Sequence, residues 1–417
     1  MQRKIDFLDK VIVITLFIFV AFSMFSISIT EIACGLGFLA WLCRTQLTRT
    51  WADQSWPLGV PFTLFVLACL IAVAGAYDLS YSYKSLKKLL EIIIFFWVIN
   101  CVREKRLRDS LIILLIASAT FAGAHGIYQA WANGVSITLP ESRVEGTMSV
   151  YMTFAGLLMM VGTLAISRAL FKRPVELWLW PALGIISVCL LFTLTRQAWF
   201  GILGGVFFML SILRKKVLFI LPVIVIFLAI ISTESVRLKI QKLSYLKDDS
   251  FAESLKFRVL HTFGGRDENL AIRLNLWKGG WEVFKDYPLS GCGFRCMDLV
   301  ASQYPDPSGH IKRVRGMHNN FLQLAVDAGI LGLFAWMGIW FCFFRLLYKK
   351  AMALEDKSHE RWIVFGSAAA VLAFLMGGCW ESNYYDSEVA MVLYFVMALP
   401  FSCSKRPLPF TSTKLGG

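Results

Sequence analysis

Charged residues are scarce in this sequence, and acidic residues especially so. Only 17% of its 417 residues are charged, with 28 Asp and Glu against 42 Lys and Arg, whereas 57% are hydrophobic. This composition excludes an ordinary soluble domain and is typical of a protein that crosses a membrane several times. The formal net charge of +14 does not indicate a nucleic-acid partner, because the basic residues cluster in short loops between apolar runs.

The sequence also lacks the motifs of nucleotide and metal chemistry. It contains no G-x-x-x-x-G-K-[ST] phosphate loop and no G-x-G-x-x-G turn. Its ten cysteines form no C-x-x-C pair and no His/Cys cluster with metal-ligand spacing. We therefore predict no cofactor and no metal site. Cys292 and Cys296 alone lie in a polar segment, where they either form a disulfide or remain free.

Apolar runs close to the roughly 20-residue length of a membrane span predict about twelve transmembrane helices. Lys and Arg are concentrated in alternate connections, which places those connections and both termini in the cytoplasm. The expected fold is all-α, a polytopic membrane protein with one large periplasmic loop that contains helices. The runs lie at about 11–29, 30–43, 58–77, 88–102, 109–131, 148–167, 176–195, 199–213, 217–233, 319–344, 362–380 and 387–403.

These spans divide the chain into three parts. Residues 1–233 are predicted to form membrane helices 1–9, and residues 318–417 to form helices 10–12. Residues 234–317 between them are predicted to form the periplasmic loop. A single long loop in an otherwise compact protein is usually functional, so we expect it to contribute to the site.

A polar stripe opens the tenth predicted span. His318 comes first, and Asn319, Gln323 and Asp327 follow at intervals of four residues, which places the last three on one helix face. The positive end of the helix dipole favours a neutral imidazole that can accept a proton. Such a stripe either bonds neighbouring helices together or lines a hydrated cavity. The number of polar groups gathered just below one histidine favours the cavity.

Four arginines on the predicted outer side fit phosphate binding, because the planar guanidinium fork matches phosphate oxygens. Arg196 ends the seventh span, Arg143 lies in the preceding outer loop, and Arg266 and Arg273 lie in the long loop. Structural interpretations compete with this one. Arg196 beside Trp199 also fits an interfacial anchor, and the loop arginines also fit a solvated helix.

Acidic residues in the last outer turn are predicted to be a solvated rim. They are Glu381, Asp386 and Glu388. We assign them no chemical role at this point.

Three pieces of the sequence, spread over roughly residues 190–335, form a distinctive set of motifs. They are Thr195-Arg196-Gln197-Ala198-Trp199; Arg273-x3-Trp277 with Phe284-x-Asp286-x-Pro288-Leu289-x-Gly291-x-Gly293; and His318-Asn319-Asn320-Phe321-Leu322-Gln323 with Asp327-x-Gly329-Ile330-Leu331-Gly332. Together they resemble the O-antigen ligase and polymerase superfamily of bacterial envelope enzymes. The sequence departs from the family pattern at Asp327, where glutamate is more frequent, although the carboxylate is retained.

The resemblance implies a metal-independent, inverting glycosyltransferase of the bacterial inner membrane with an active site that faces the periplasm. Its donor would be a glycan on undecaprenyl pyrophosphate, and its acceptor lipid A–core. It implies His318 as the general base, with Arg196 and Arg273 on the pyrophosphate. Further substrate contacts are expected at Arg143, Arg266, Asn319 and Asn320.

Three alternatives remain open. An O-antigen polymerase would use the same donor with a second lipid-linked glycan as acceptor, and a protein O-oligosaccharyltransferase would use a Ser or Thr. A lipid-glycan transporter would perform no chemistry, and it would show interrupted helices and polar residues at mid-membrane depth in several spans. Polar groups gathered at one outer surface favour an enzyme, and the single large loop favours a ligase.

Overall fold

A computed structural model of the protein is all-helical, with no β-strand among the residues that it describes. The described residues are all except 136–142, 214–267, 305–315, 356–357, 359 and 404–417. The α-helices up to the first long gap are α1 (Gln2–Phe22), α2 (Ile27–Thr48), α3 (Gly59–Ala74), α4 (Leu79–Tyr83), α5 (Ile92–Cys101), α6 (Lys105–Ala132), α7 (Tyr151–Phe171), α8 (Leu179–Phe192) and α9 (Arg196–Ile212). Those after it are α10 (Glu268–Asp286), α11 (Met297–Val300), α12 (Asn320–Ala353), α13 (Arg361–Gly377) and α14 (Ser387–Ala398). Short 3₁₀ turns occupy Trp51–Asp53, Lys84–Glu91, Ala301–Gln303, Asn383–Tyr385 and Leu399–Phe401.

The helices agree with a polytopic membrane protein. Helices α2, α6, α7 and α12 are long and apolar enough to cross a membrane, and α3, α8, α9, α13 and α14 belong to shorter apolar helices. Each predicted span overlaps a helix except 217–233, which lies outside the described residues together with most of the predicted loop. Helices α10 and α11 fall within residues 234–317, whereas the assignment of this segment as a periplasmic loop stays a prediction. The number of spans stays a prediction.

Helix α9 lies against α13 along a strip of small residues. Cβ atoms built on Gly201 and Gly205 would come within 2.5 and 3.0 Å of the carbonyl oxygens of Ala373 and Ala369. Such close backbone approach is how small residues join membrane helices. It brings Arg196, the first residue of α9, beside the C-terminal end of α13.

The opposite end of the bundle is held by paired charges. Arg108 donates to both carboxylate oxygens of Glu360, at 2.7 and 2.9 Å. Arg168 donates to both oxygens of Glu176, at 2.6 and 2.8 Å. Bidentate arginine–carboxylate pairs fix geometry as well as charge. These two arginines of the predicted cytoplasmic connections therefore have a structural role.

Helix α12 is broken at Gly329, where φ is 64° and ψ is −166°. A Cβ built there would lie 2.2 Å from the carbonyl oxygen of Leu289. A Cβ on Gly291 would lie 2.4 Å from the carbonyl carbon of Asp327. Only glycine combines this backbone conformation with so close an approach, which explains why both sequence motifs contain glycine at these positions.

The loop at residues 288–293 fills the break. Backbone N–H groups of Cys292 and Gly293 donate to the carbonyls of the last helical turn before Gly329, at 3.0 and 3.1 Å, and the Ile330 N–H donates to the Pro288 carbonyl at 2.8 Å. Backbone N–H and C=O groups that lose their helical partners in an apolar environment need other hydrogen-bond partners. The loop is closed by a disulfide between Cys292 and Cys296, whose Cα atoms are 5.7 Å apart.

Candidate active site

The site is built at the N-terminal end of α12. Asn319 caps the helix, since its Oδ1 accepts from the backbone N–H groups of Phe321 and Leu322 at 2.9 and 3.0 Å. His318 precedes the cap with φ of 46°, so the chain turns sharply there. This turn directs the chain so that the His318 ring meets the connection between α13 and α14.

His318 is paired with Glu381. Its Nδ1 lies 2.8 Å from Oε1 of Glu381, which also accepts from the Ser382 backbone N–H at 3.0 Å. The His318 side chain is 20% exposed and the Glu381 side chain only 9%. The prediction that Glu381 belongs to a solvated rim is therefore wrong, because the carboxylate is turned inward onto the imidazole. A His–carboxylate pair fixes the ring orientation and leaves the other ring nitrogen for chemistry.

Gln197 connects Glu381 to the N-terminus of α9. Its Nε2 donates to Oε2 of Glu381 across a long 3.4 Å contact. Its carbonyl oxygen would lie 3.4 Å from a Cβ built on Gly377, the last residue of α13. Half-buried Arg196 is the residue that directly precedes Gln197 in the chain. The backbone that carries Arg196 thus lies beside the His318–Glu381 pair.

Trp277 connects α10 to the same place. Its indole N–H donates to the carbonyl of Met317 at 2.8 Å, and its ring lies 5.5 Å from that of Trp380. These partners immediately precede His318 and Glu381 in the chain. Arg273 is half-buried one turn earlier on α10 and shares the Trp277 flank of the helix. The fold therefore gathers the segments carrying Arg196, Arg273 and His318.

Arg143 and Arg266, the two further arginines expected to contact the substrate, differ in their placement. The Arg143 guanidinium lies 4.6 Å from the centre of the Tyr151 ring, a cation–π contact. The backbone N–H of Val144 donates to the Phe192 carbonyl at 3.4 Å, so Arg143 enters the bundle near the turn that leads to Arg196. Arg266 lies outside the described residues.

Asn319 and Asn320 bond to the chain itself. Asn319 Nδ2 donates to the Cys379 carbonyl at 3.0 Å. Asn320 Nδ2 donates to Asn383 Oδ1 at 2.7 Å, and its Oδ1 accepts from the Tyr384 backbone N–H at 3.1 Å. Both amides thereby hold the turn between α13 and α14 that carries Glu381. Their predicted substrate contacts stay a prediction.

The rest of the polar stripe is packed rather than hydrated. Gln323 is 4% exposed and Asp327 fully buried. The Asp327 carboxylate accepts from Gln323 Nε2 at 3.0 Å, from the Tyr385 hydroxyl at 2.7 Å and from the Arg295 backbone N–H at 3.2 Å. These two residues therefore make structural hydrogen bonds, within α12, to the loop at Arg295 and to the turn at Tyr385, and do not line a hydrated cavity.

A second carboxyl lies on the same turn. Asp386 is half-buried and accepts from the Thr153 hydroxyl at 2.9 Å. Burial raises the pKa of Asp386 to about 6, and the neighbouring Glu381 carboxylate adds to the rise while the Thr153 hydrogen bond opposes it. Its contact with Thr153 holds the start of α7 against the turn.

This arrangement can perform general-base chemistry beside a phosphate. A carboxylate-paired imidazole lies at the end of the bundle where two arginine-bearing segments converge. Within the described residues, no three His, Cys, Asp or Glu side chains are grouped so that they could hold a metal ion. Sequence reasoning missed Glu381 and Gln197, whose only signal was their nearness in the chain to Trp380 and Arg196.

Comparison with known proteins agrees with the motifs. Residues 181–337 match the family model described as O-antigen ligase. No curated protein matches the chain. The matched region contains Arg196, Arg273 and His318, whereas Glu381 and Arg143 lie outside it.

Proposed function

Because residues 181–337 match the family model described as O-antigen ligase, we propose that the protein transfers O-antigen glycan from undecaprenyl pyrophosphate to lipid A–core. The reaction is an inverting, metal-independent glycosyl transfer at the periplasmic face of the bacterial inner membrane. The observation that carries the proposal is the His318–Glu381 pair, joined to the Arg196 segment through Gln197 and to the Arg273 helix through Trp277.

His318 acts as the general base. With Nδ1–H donating to Glu381, the Nε2 lone pair accepts the proton of an acceptor sugar hydroxyl. The hydroxyl oxygen attacks the anomeric carbon from the face opposite the pyrophosphate and forms the new glycosidic bond. The old C1–O bond breaks, and its electron pair leaves with undecaprenyl pyrophosphate. General-base assistance of this kind contributes about 10²–10⁴-fold to the rate.

Arg196 and Arg273 bind the pyrophosphate. Their guanidinium groups form bidentate bonds to phosphate oxygens and offset the negative charge that grows as the C1–O bond breaks. The donor already contains the energy of the reaction in its pyrophosphate bond, so the protein supplies position and charge. Arg143, near the turn before Arg196, provides a further cation for the same group.

Two observations support the periplasmic orientation. The short outer connections predicted from the sequence contain few Lys and Arg residues, in line with the distribution of charge across bacterial inner membranes, a rule that applies to short loops. The Cys292–Cys296 disulfide belongs to the same end as His318, and disulfides persist in oxidising compartments such as the periplasm.

The break in α12 bears on the transporter alternative. In transporters, the ends of broken helices face a substrate or ion cavity. Here the chain's own 288–293 loop fills the break with backbone hydrogen bonds. This favours a rigid support for the site over a transport path.

Deletion of the gene separates the ligase from its nearest alternative. We expect cells without the protein to accumulate long lipid-linked O-antigen polymer and to display bare lipid A–core, because the polymer forms but has no route to its acceptor. Electrophoresis of lipopolysaccharide, with the lipid-linked fraction analysed in parallel, measures both. Core bearing a single repeat would instead identify a polymerase.

Glu381→Gln is expected to lower kcat by roughly 10–100-fold with little change in KM for either substrate. The amide keeps the shape but loses the charge that orients His318 and stabilises its protonated form. Transfer between purified lipid-linked glycan and lipid A–core measures both constants.

The matched control is Glu388→Gln, a nearby carboxylate in the first turn of α14, which should retain wild-type kcat. Glu381→Asp, which keeps the charge, should recover part of the lost kcat. A Glu381→Gln variant with unchanged kcat, or with a loss that Glu381→Asp does not relieve, would remove Glu381 from the mechanism.

A further inference from the structure

One flank of α10 forms an aromatic ridge, defined by Trp277, Trp281 and Phe284. The Trp281 ring stacks on Phe284, with 5.3 Å between ring centres and 29° between planes. Trp281 is nevertheless 51% exposed. A near-parallel aromatic pair with an open face is a flat apolar platform against which the ring of a ligand can pack.

The aromatic ridge is held in a fixed position, because the adjacent face of α10 is packed against α12. Leu276 and Val283 are fully buried. A Cβ built on Gly280 would lie 2.5 Å from Sδ of Met317 and 3.4 Å from the Val326 side chain. A platform on a fixed helix loses little conformational entropy when it binds a ligand.

The Trp277 end of the ridge belongs to the active site. Trp277 donates its N–H to the carbonyl of Met317 and lies against Trp380, the residues that precede His318 and Glu381. Arg273, which binds the pyrophosphate in the proposed function, precedes Trp277 by one turn. The ridge thus extends along α10 from the Trp277 end, which adjoins the reacting centre.

We propose that the aromatic ridge binds the sugar rings of the lipid-linked donor glycan. The C–H face of a pyranose packs on an indole or phenyl face while its hydroxyls stay hydrated. From Arg273 to Phe284 the helix rises roughly 16 Å at 1.5 Å per residue, which accommodates several sugars beyond the one attached to the pyrophosphate. This inference rests on the proposed function, because the donor glycan is the ligand that it invokes.

The surroundings of Trp281 favour a glycan over membrane lipid as the ligand. Lys278 and Lys285 are exposed on the same side of α10, at i−3 and i+4. Lys285 pairs with exposed Glu282 at 2.9 Å. Deep burial of this face among acyl chains would strip these charges of water, whereas a hydrated sugar chain would leave them solvated. An anchor at the headgroup level, where Trp and Lys also occur together, is the alternative that the comparison of two donors below separates.

The test compares two donors on the same polyprenyl pyrophosphate, one with a single sugar and one with the long polymer. Trp281→Leu keeps an apolar side chain but removes the flat ring. With protein in nanodiscs, we expect it to raise KM for the long donor roughly five- to tenfold, with kcat unchanged and KM for the single-sugar donor unchanged. Trp281→Phe and Leu274→Ala, a control at an exposed apolar residue of α10, should behave as wild type.

An equal effect of Trp281→Leu on both donors would identify a membrane anchor, and no effect on either would leave the ridge without a ligand; both outcomes overturn the inference. A second measurement separates it from the proposed function. The probe is the oligosaccharide released by mild acid from accumulated lipid-linked glycan, with binding followed by saturation-transfer NMR on the His318→Ala protein. Weaker binding after the added Trp281→Leu change supports the ridge even where transfer to lipid A–core is absent, and unchanged binding overturns it.

Discussion

Replacing His318 with alanine is expected to abolish glycan transfer while leaving the protein in the membrane at its normal level. The imidazole is the proton acceptor of the proposed reaction, and general bases contribute about 10²–10⁴-fold to such rates. The His318 side chain is partly exposed and is paired with Glu381, so its loss should leave the helix packing intact. Electrophoresis of lipopolysaccharide and transfer by purified protein measure the outcome.

A second variant is needed because alanine could disturb the backbone conformation at His318. Its φ of 46° is left-handed, a conformation that asparagine tolerates better than alanine. His318→Asn should therefore preserve the turn and still lose transfer. His125→Ala provides the matched control, because this histidine lies on an exposed face of α6 away from the site. Wild-type lipopolysaccharide from His318→Asn would exclude His318 as the base.

Much of the helical framework was predictable because apolar runs of membrane length are a strong local signal. The motifs also singled out the segments carrying Arg196, Arg273 and His318, which the structure brings together, while the chemical roles of the three residues stay a prediction. Sequence alone did not fix which groups would meet. The contacts that gather the segments, Gln197 with Glu381 and Trp277 with Met317, are all long-range in the chain.

Glu381 illustrates why the rest was not predictable. Its partner His318 is 63 residues away, and three acidic residues in one short turn have the same local pattern as a solvated rim. Asp327 is the opposite case, a residue expected to be hydrated that is packed inside the protein. Its periodic spacing suggested a wet cavity, whereas the break at Gly329 admits a loop whose backbone and neighbours supply its hydrogen bonds. Spacing places a residue on a face but does not identify what covers that face.

Arg196→Lys is expected to reduce kcat/KM for the lipid-linked donor by roughly 10²-fold although the positive charge is retained. Lysine is a point charge, and it cannot reproduce the planar pair of N–H donors that fits two phosphate oxygens. Arg273→Lys should act in the same direction. If both guanidinium groups bind one pyrophosphate, the double variant should lose less than the product of the two single losses, because the sites are coupled.

The comparison with Arg106→Lys makes this prediction specific. Arg106 is exposed near the start of α6, at the predicted cytoplasmic end, and the same substitution there should leave transfer unchanged. Transfer assays with saturating lipid A–core and varied donor give kcat/KM for each variant. If Arg196→Lys transfers glycan as well as Arg106→Lys does, then Arg196 beside Trp199 is an interfacial anchor. The pyrophosphate would in that case require a different cation, for which Arg143 near the same turn is the next candidate.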